Sequence, residues 1–565
     1  MLIGAIAVLS FMLLTKWVDF KDSRISAVAQ ENTRLISSDG VSPNAATAIP
    51  DLPVATSEGA SAEDLPSMAD NTTAIVEKDP VVASAGRIVE IHTDTLQLAI
   101  DLEGGDIIEL ALPKYPAELA KPNVPFVLLE QNTNRTYISQ SGLIGANGID
   151  KDGRPTYTSA SSIYKLKDGD DGLVVNLQWQ NDAGLKVTKR FTMKRGDYLI
   201  KVDYLVDNGS AGRWQANLFG QLKRDSSPAP SASSSGGMGL KPFLGAAFTQ
   251  PDDHFTKFTF EAMAEDPFKA TITGGWVAII QHYFLTAWVP NATQSNNYST
   301  RVTSSGFNIA GFTSPALVLD AGQSGEIGAQ FYAGPKDQYR LEEISPYLEL
   351  SVDYGWLWWI AQPLFWLLTK IHAFVGNWGV AIILLTVLIK AAFFKLSATS
   401  YKSMANMRRV QPKMQDIREQ FGDDKQKQSQ AMMDLYRKEK INPMGGCLPV
   451  LVQMPVFIAL YWVLMESVEL RQAPFMLWID DLSVMDPYFV LPLLMGASMF
   501  CMQMLNPPPP DPMQAKIMKW MPVAFTFFFL WFPSGLVLYW VVNNLLSMAQ
   551  QYVITKQIEA GAAKS

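Results

Sequence analysis

Apolar and polar positions follow two different rules along this chain. From about residue 86 to 334 they alternate. Ile200, Val202, Tyr204 and Val206 are interleaved with Lys201, Asp203 and Leu205, and Leu96, Leu98 and Ile100 repeat the pattern. A period of two places one set of side chains on a buried sheet face, so this region predicts β-strands. Turn signals at Gly104-Gly105-Asp106, Asp152-Gly153 and Asn181-Asp182-Ala183-Gly184 separate the runs, and 226–239 is a loop rich in Ser, Pro and Gly. The fold expected over residues 86–350 is an all-β, antiparallel two-sheet sandwich.

After Trp356 the apolar positions run together. Five stretches, 374–394, 447–465, 488–504, 517–532 and 535–553, each predict a membrane-spanning helix within a core over 374–555. Residues 355–371 carry Trp356, Trp358, Trp359 and Trp366, with Gln362 and Pro363 interrupting the run. That stretch is short for a span and predicts an aromatic helix lying in the membrane interface. At the other end, residues 2–14 form an apolar run closed by Lys16 and Trp17. The triplet Ala27-Val28-Ala29 lies beyond Lys16, Asp19, Lys21, Asp22 and Arg24, too far and too charged for signal cleavage. Residues 1–20 therefore predict an uncleaved anchor. Residues 21–85, rich in Ser, Ala, Asp and Pro and without apolar period, predict an unstructured linker. The expected fold class is a multi-domain membrane protein with six transmembrane α-helices and an exported β domain.

Loop charges orient these spans. Residues 395–440 hold eleven Lys/Arg against six Asp/Glu, whereas 466–486 hold Arg471 alone against five acidic residues. The next loop carries Lys516 and Lys519, and the tail over 556–565 carries Lys556 and Lys564. By the positive-inside rule the 395–440 loop and both termini are cytoplasmic, and the β domain lies outside. The fourth run has only thirteen residues between Lys519 and Pro533. It is about 20 Å long at helical rise against a hydrocarbon core of about 30 Å, so it either tilts little with snorkelling flanks or sits in a locally thinned bilayer, unless residues 515–518 extend the helix and its lysines snorkel outward.

Composition mostly excludes. A net charge of −8 leaves no global basic field for nucleic acid. The two cysteines, Cys447 and Cys501, both lie inside apolar runs and form no disulfide framework. His92, His254, His282 and His372 are scattered singly, without metal-ligand spacing. There is no G-x-x-x-x-G-K-[ST] phosphate loop. Gly322-Gln323-Ser324-Gly325 resembles an intramembrane protease motif but falls in a β turn. No nucleophile constellation and no duplicated broken helix appears. No catalytic residue, cofactor or metal is expected.

The polar residues inside the apolar runs carry the candidate chemistry. Lys390 lies five residues inside Lys395 in the first run, roughly 7 Å deeper along a straight helix. A lysine there either snorkels to the headgroups or faces a wet cavity, and no Asp or Glu within the spans pairs with it. Gln453, Gln503, Thr526, Asn543 and Asn544 lie in the other runs, each a candidate for interhelical bonding or, together, for a hydrophilic pocket. The loop over 397–441 reads as a helical hairpin. Met404, Met407, Val410, Met414 and Ile417 form an apolar stripe, Gly422-Asp423-Asp424 turns, and 425–440, with Met432 and Met433, returns. Methionine surfaces suit contact with varied apolar segments; the stripe equally suits packing of the two helices together.

Long motifs resemble the YidC family of bacterial membrane protein insertases, kin to the mitochondrial and chloroplast insertases. They are Val352-Asp353-Tyr354-Gly355-Trp356, Gly376-Asn377-Trp378-Gly379, Asn442-Pro443-Met444-Gly445-Gly446-Cys447, Glu469-Leu470-Arg471-Gln472-Ala473-Pro474-Phe475 and Phe532-Pro533-Ser534-Gly535-Leu536-Val537-Leu538-Tyr539. In the β region, Lys194-Arg195-Gly196-Asp197-Tyr198, Phe219-Gly220-Gln221-Leu222 and Gly274-Gly275-Trp276-Val277 are similar to the Gram-negative form. The resemblance implies a β-supersandwich periplasmic domain and a five-helix core whose hydrophilic groove opens to cytoplasm and lipid. The groove residues implied here are Lys390, Gln453, Gln503, Thr526, Tyr539 and Asn543, with Lys390 standing where the family carries arginine. Lysine keeps the charge without the planar fork of donors. The client-capture residues are Met404, Met407, Met414, Met432 and Met433. The implied activity is insertion and chaperoning of nascent integral membrane proteins in the bacterial inner membrane. Implied partners are the Sec translocon (SecYEG, SecDF), the ribosome, the signal recognition pathway and membrane lipids. The competing reading is a membrane-tethered periplasmic carbohydrate-binding protein or enzyme.

Overall fold

The computed structural model describes residues 65–66, 86–230, 242–422, 424–439, 448–505 and 512–562. The anchor expected over 1–20 and the linker expected over 21–85 lie outside the described residues, 65–66 apart. The chain divides into a β unit and a helical unit, with the division between Val352 and Asp353.

Among the described residues, the β unit holds one sheet of ten strands and one of nine. The first runs from the edge strand Lys269–Thr273 through Ser295–Val302, Asn308–Leu319, Trp214–Arg224 and Thr136–Ile144 to Ile88–His92 and Ile163–Lys165. The second includes Gly245–Phe248, Val277–Ile280, Phe284–Val289, Ser324–Pro335, Leu199–Asn208 and Leu185–Lys194. Neighbours pair antiparallel except Ile88–His92 with Ile163–Lys165. The alternation holds in part: Ile200, Val202, Tyr204 and Val206 are buried, Lys201 is exposed and Leu205 half-buried, but Asp203 is buried beside Lys201. The inner faces meet in a core that includes Trp288, Phe312 and Phe331. The Tyr137 hydroxyl lies 2.5 Å from Thr286 Oγ1 across it. Gly322 turns with φ +76°, and Ser324 and Gly325 already belong to the strand Ser324–Pro335, so the motif Gly322-Gln323-Ser324-Gly325 spans a turn and the start of a strand rather than lying wholly in a turn.

One charged cluster sits inside this core. Arg154 bonds both Asp106 and Asp150, the latter at 2.5 Å, with Arg154 and Asp150 side chains 3% and 0% exposed. Lys189 donates at 3.0 Å to the carbonyls of Gly104 and Ser141. Asp150 also accepts from Leu143 N at 2.7 Å, and Asp106 accepts from Gln140 at 3.0 Å. Buried charges persist only when paired or hydrogen-bonded: Arg154 is ion-paired with Asp106 and Asp150, and Lys189 is held by backbone carbonyls.

Two short helices, α1 (Phe260–Glu265) and α2 (Gln338–Ile344), belong to the β unit. The helical unit follows as α3 (Trp358–Val375), α4 (Trp378–Ala392), α5 (Phe394–Arg409), α6 (Gln411–Phe421), α7 (Lys425–Lys438), α8 (Leu448–Glu466), α9 (Val490–Leu505), α10 (Pro512–Phe529) and α11 (Ser534–Ala562). α11 is the hub and packs against α4, α5, α8 and α9, while α10 packs on α9, α3 on α4 and α8, and α6 on α7.

Four local features differ from the sequence reading. α3 continues unbroken through Pro363, five residues past its start at Trp358, where one lost i→i−4 bond does not end a helix flanked by strong helix formers. Its Trp356 neighbour and its Trp358, Trp359 and Trp366 are exposed, by more than half in each case. The first span is shorter than its apolar run: Asn377 caps α4 at one end, and Phe393 breaks it from α5 at an angle of 67°. Lys395 therefore lies on a different helix axis from Lys390. α10 begins at Pro512 and includes Lys516 and Lys519, both exposed, so it has 18 residues and the thinning argument from a thirteen-residue helix lapses. Finally, the stripe expected as one helix is divided at Val410 into α5 and α6.

Among the described residues, no single helix is long and apolar enough to cross a membrane; α4 and α5 pass that test together as a bent pair.

Candidate functional site

Three of the motif loops lock one end of the helical bundle. Gly376 closes α3 in the left-handed region at φ +68°, where glycine carries no Cβ penalty. The next residue, Asn377, accepts from Val380 N at 3.0 Å to cap α4 and donates to Phe475 O at 2.9 Å. A Cβ at Gly379 would overlap the Phe475 ring, so the glycine lets the loop after α8 lie against α4. The same loop receives the start of α11, where Ser534 Oγ donates to Asp481 O at 2.9 Å and Ser534 N to Val484 O at 2.7 Å. Buried Asp486 accepts from Trp478 Nε1 at 3.0 Å and from Leu491 N at 2.7 Å, fixing the entry to α9. Residues 467–489 thus form a braced plug over the N-terminal ends of α4, α9 and α11.

Lys390 lies at the opposite end of α4, about 20 Å along the helix from Asn377. Its position in the last turn suits a cation, because the helix carbonyls there carry partial negative charge. The side chain is 6% exposed, and Nζ donates across to Ser547 Oγ on α11 at 2.7 Å. Ser547 in turn donates to Asn543 O at 2.7 Å. Asn543 Oδ1 accepts from Gln453 Nε2 of α8, and that amide lies 3.5 Å from the buried Tyr539 hydroxyl. Lys390, Ser547, Asn543, Gln453 and Tyr539 therefore form one polar line across α4, α11 and α8. Among the described residues, no carboxylate pairs with Lys390.

Gln503 and Thr526 lie off this line. Gln503 of α9 is half-buried, and no hydrogen bond among the described residues joins it to the line. Thr526 Oγ1 donates to Pro522 O in its own helix at 2.7 Å and fills the notch left by Gly496 of α9, where a Cβ would collide with it. Asn544 faces α9 and donates to Ser498 Oγ at 3.0 Å. The sequence reading missed Ser547 and Ser498. For Ser547 a signal existed: Tyr539, Asn543 and Ser547 follow one another at i, i+4 and i+8 on one face of α11.

In the hairpin, Val410 and Met414 are buried, with Met407, Met432, Leu435 and Tyr436 packed around them. Three of the five methionines thus serve the hairpin's own core. Met404 is half-buried and Met433 is 54% exposed. Arg408 donates to Leu505 O, and Gln551 donates to the same carbonyl at 3.1 Å, so α5 and α11 share the end of α9.

The β unit has its own cavity of about 810 Å³, lined in part by Lys201, Asp203, His254, Glu326 and Tyr347. His254 and Tyr347 stack at 3.9 Å. Lys201 engages both carboxylates, Asp203 at 2.9 Å and Glu326 at 3.5 Å, so neither stands free as an acid or base. Burial holds the Asp203 carboxyl above its usual range, with Lys201 opposing. Among the described residues, no His/Cys/Asp/Glu cluster has metal-binding geometry.

The helical unit thus encloses a polar line among apolar helices, and a large β-sandwich precedes it in sequence. Family models described as the YidC periplasmic domain and the 60Kd inner membrane protein match residues 88–367 and 370–561. The chain is 55% identical over 562 residues to the membrane protein insertase YidC of Stutzerimonas stutzeri (strain A1501), covering 99% of this chain and 98% of that one. It is 54% identical over 566 residues to the protein of the same name from Pseudomonas fluorescens (strain SBW25), covering 100% and 98%. A crystal structure of an active YidC insertase with its first transmembrane domain resolved covers 83% of this chain and 92% of its own, at 19% identity and a TM-score of 0.37. The chain belongs to the YidC family of membrane protein insertases. It is an inner-membrane insertase, and residues 88–367 contain its periplasmic domain.

Proposed function

We propose that the polar line from Lys390 to Tyr539 is the surface on which this insertase holds the hydrophilic part of a client within the bilayer. The observation that carries this reading is the buried Lys390 ammonium, which has a serine hydroxyl and no carboxylate as partner among the described residues. A cation in that state interacts favourably with an anionic group arriving from outside the protein. The amides of Gln453 and Asn543 and the Tyr539 hydroxyl extend the surface and replace water for a client's backbone, lowering its desolvation cost. The plug over 467–489 supports a groove closed toward the periplasm.

The steps follow from this placement. The cytoplasmic hairpin over 397–441, built from α5, α6 and α7, meets a nascent hydrophobic segment, with Met404 of α5 and Met433 of α7 as the methionines least committed to its core. The client's polar tail enters the groove beside Lys390, and its apolar segment leaves along α8 and α10 into lipid. Gln503 and Thr526 line the path of that segment near α9 and α10. α4 and α9 have 15 and 16 residues, or about 22–24 Å, which supports a bilayer locally thinner than the usual 30 Å or so. No covalent step, metal or nucleotide is required of this chain. The loop charges support six spans, including the 1–20 anchor, with both termini cytoplasmic. The Sec translocon, ribosome and signal recognition pathway are the partners this topology serves.

The test is insertion into vesicles reconstituted with this protein alone. Lys390→Ala slows a client with a short acidic exported tail by about tenfold, the equivalent of about 1.4 kcal/mol, whereas Lys390→Arg does not. Equal rates for wild type and Lys390→Ala refute the reading.

A further inference from the structure

Ser547 occupies a position where the apolar pattern of α11 does not ask for a hydroxyl, and it is 6% exposed. Its proton is committed to Asn543 O of its own helix at 2.7 Å. What it presents to Lys390, at 2.7 Å, is therefore a lone pair. The hydrogen bonds run one way, from ammonium to hydroxyl to backbone carbonyl. The junction therefore joins α4 to α11.

This arrangement answers a physical problem that Lys390 poses. A lysine carries its charge on a flexible four-carbon stem and, left alone near the end of a membrane helix, leads the ammonium toward the nearest headgroups. One acceptor on a neighbouring helix removes that freedom. A hydrogen bond from a charged donor is about twice as strong as a neutral one. An ammonium has three N–H groups, and among the described residues Ser547 takes one. Two remain for a visiting group.

We propose that Ser547 is the positioning residue for Lys390: it holds the ammonium inside the bundle and aims its two remaining N–H groups at a client carboxylate, giving the groove its preference for acidic exported tails. The proposal rests on the reading that Lys390 receives anionic client groups. Ser547 touches no client itself.

The experiment compares two clients in vesicles reconstituted with the full-length protein, one with a short acidic exported tail and one with the same tail made neutral by Asp→Asn and Glu→Gln. Ser547→Ala lowers the ratio of acidic-tail to neutral-tail insertion rates by about tenfold, the scale of one lost hydrogen bond to a charged group. Ser547→Thr, which keeps the hydroxyl and its i−4 bond, restores the ratio. Lys390→Ala with Ser547→Ala gives the ratio of Lys390→Ala alone, because the serine acts through the lysine. Equal slowing of both clients by Ser547→Ala assigns the serine to packing and overturns the proposal, as does a failure of Ser547→Thr to restore the ratio. If Lys390→Ala changes the ratio and Ser547→Ala does not, positioning alone is lost. If Lys390→Ala leaves the ratio unchanged, the groove reading and this proposal fall together.

Discussion

Replacing Arg154 with leucine removes the guanidinium that both Asp106 and Asp150 bind inside the β-sandwich. The remaining cation, Lys189, bonds carbonyls and no carboxylate, so two buried anions are left uncompensated. Breaking one buried ion pair by deleting a partner costs about 3–5 kcal/mol. Two pairs share this arginine, but the second costs less. Burial already lifts the Asp150 carboxyl to about 6, so taking up its proton at neutral pH is cheap, about 1.4 kcal/mol per pH unit. The expected loss is about 3–5 kcal/mol, a large part of a domain stability of about 5–15 kcal/mol. Hydrogen exchange on the full-length protein reads it locally, at the amides of Thr136–Ile144 and Leu185–Lys194. Their opening free energy falls by that amount while amides of α4 and α11 keep theirs. A fall below about 1 kcal/mol at those strands refutes the reasoning, because it means that water already screens the cluster.

Three further outcomes follow. Burial holds the Lys189 ammonium down to about 7, against the pull of Asp106. The unfolded chain keeps that proton to about pH 10 and the folded domain to about 7, so this group's contribution to stability rises with pH between them. Asp150, lifted to about 6, acts in the lower window, where its contribution falls as pH rises from about 4 to 6. Urea midpoints of the β domain, read by pulse proteolysis, increase from pH 7 to 9, and Lys189→Met flattens that slope; a decrease in wild type contradicts the assignment. In the hairpin, Met414→Ala costs about 2–5 kcal/mol of local stability as a buried truncation, while Met433→Ser costs less than about 0.5 kcal/mol and lowers crosslinking to an apolar client. Equal destabilisation by the two contradicts the packing described here. Deleting residues 86–334 leaves insertion of a small client within about twofold of wild type, the scale of 0.4 kcal/mol. Abolished insertion on correct membrane assembly favours the periplasmic cavity as the working site.

Much of the architecture is legible in the chain because it rests on local periodicity. Ile200 to Val206 announce a strand by alternation, and the apolar runs after Trp356 announce helices by their length. What escaped depends on contacts between distant positions. Arg154, Asp106, Asp150 and Lys189 look like ordinary turn and strand charges until the two sheets fold over them. The break at Phe393 is invisible as well, since the apolar run continues across it while the backbone bends by 67°. Of the residues expected in a groove, Lys390, Gln453 and Asn543 stand out as polar groups in apolar runs, Tyr539 enters only through the family resemblance, and the structure brings these four together. Gln503 and Thr526 stand out equally, yet the second serves a helix–helix notch at Gly496. Composition marks a polar residue in a helix; only packing says which neighbour it meets. Ser547 shows the converse, being plain in composition and central in geometry.

The account turns on whether the charge at residue 390 meets charge in the client. A charge swap measures that most directly: Lys390→Glu is paired with clients whose exported tails are acidic or basic, and insertion rates are read in vesicles without a membrane potential. The account predicts that wild type favours the acidic tail and that Lys390→Glu reverses the preference, each by about tenfold, or about 1.4 kcal/mol. The same preference in both proteins would contradict it, because the groove would then be reading tail length or hydrophobicity and Lys390 would be a structural lysine.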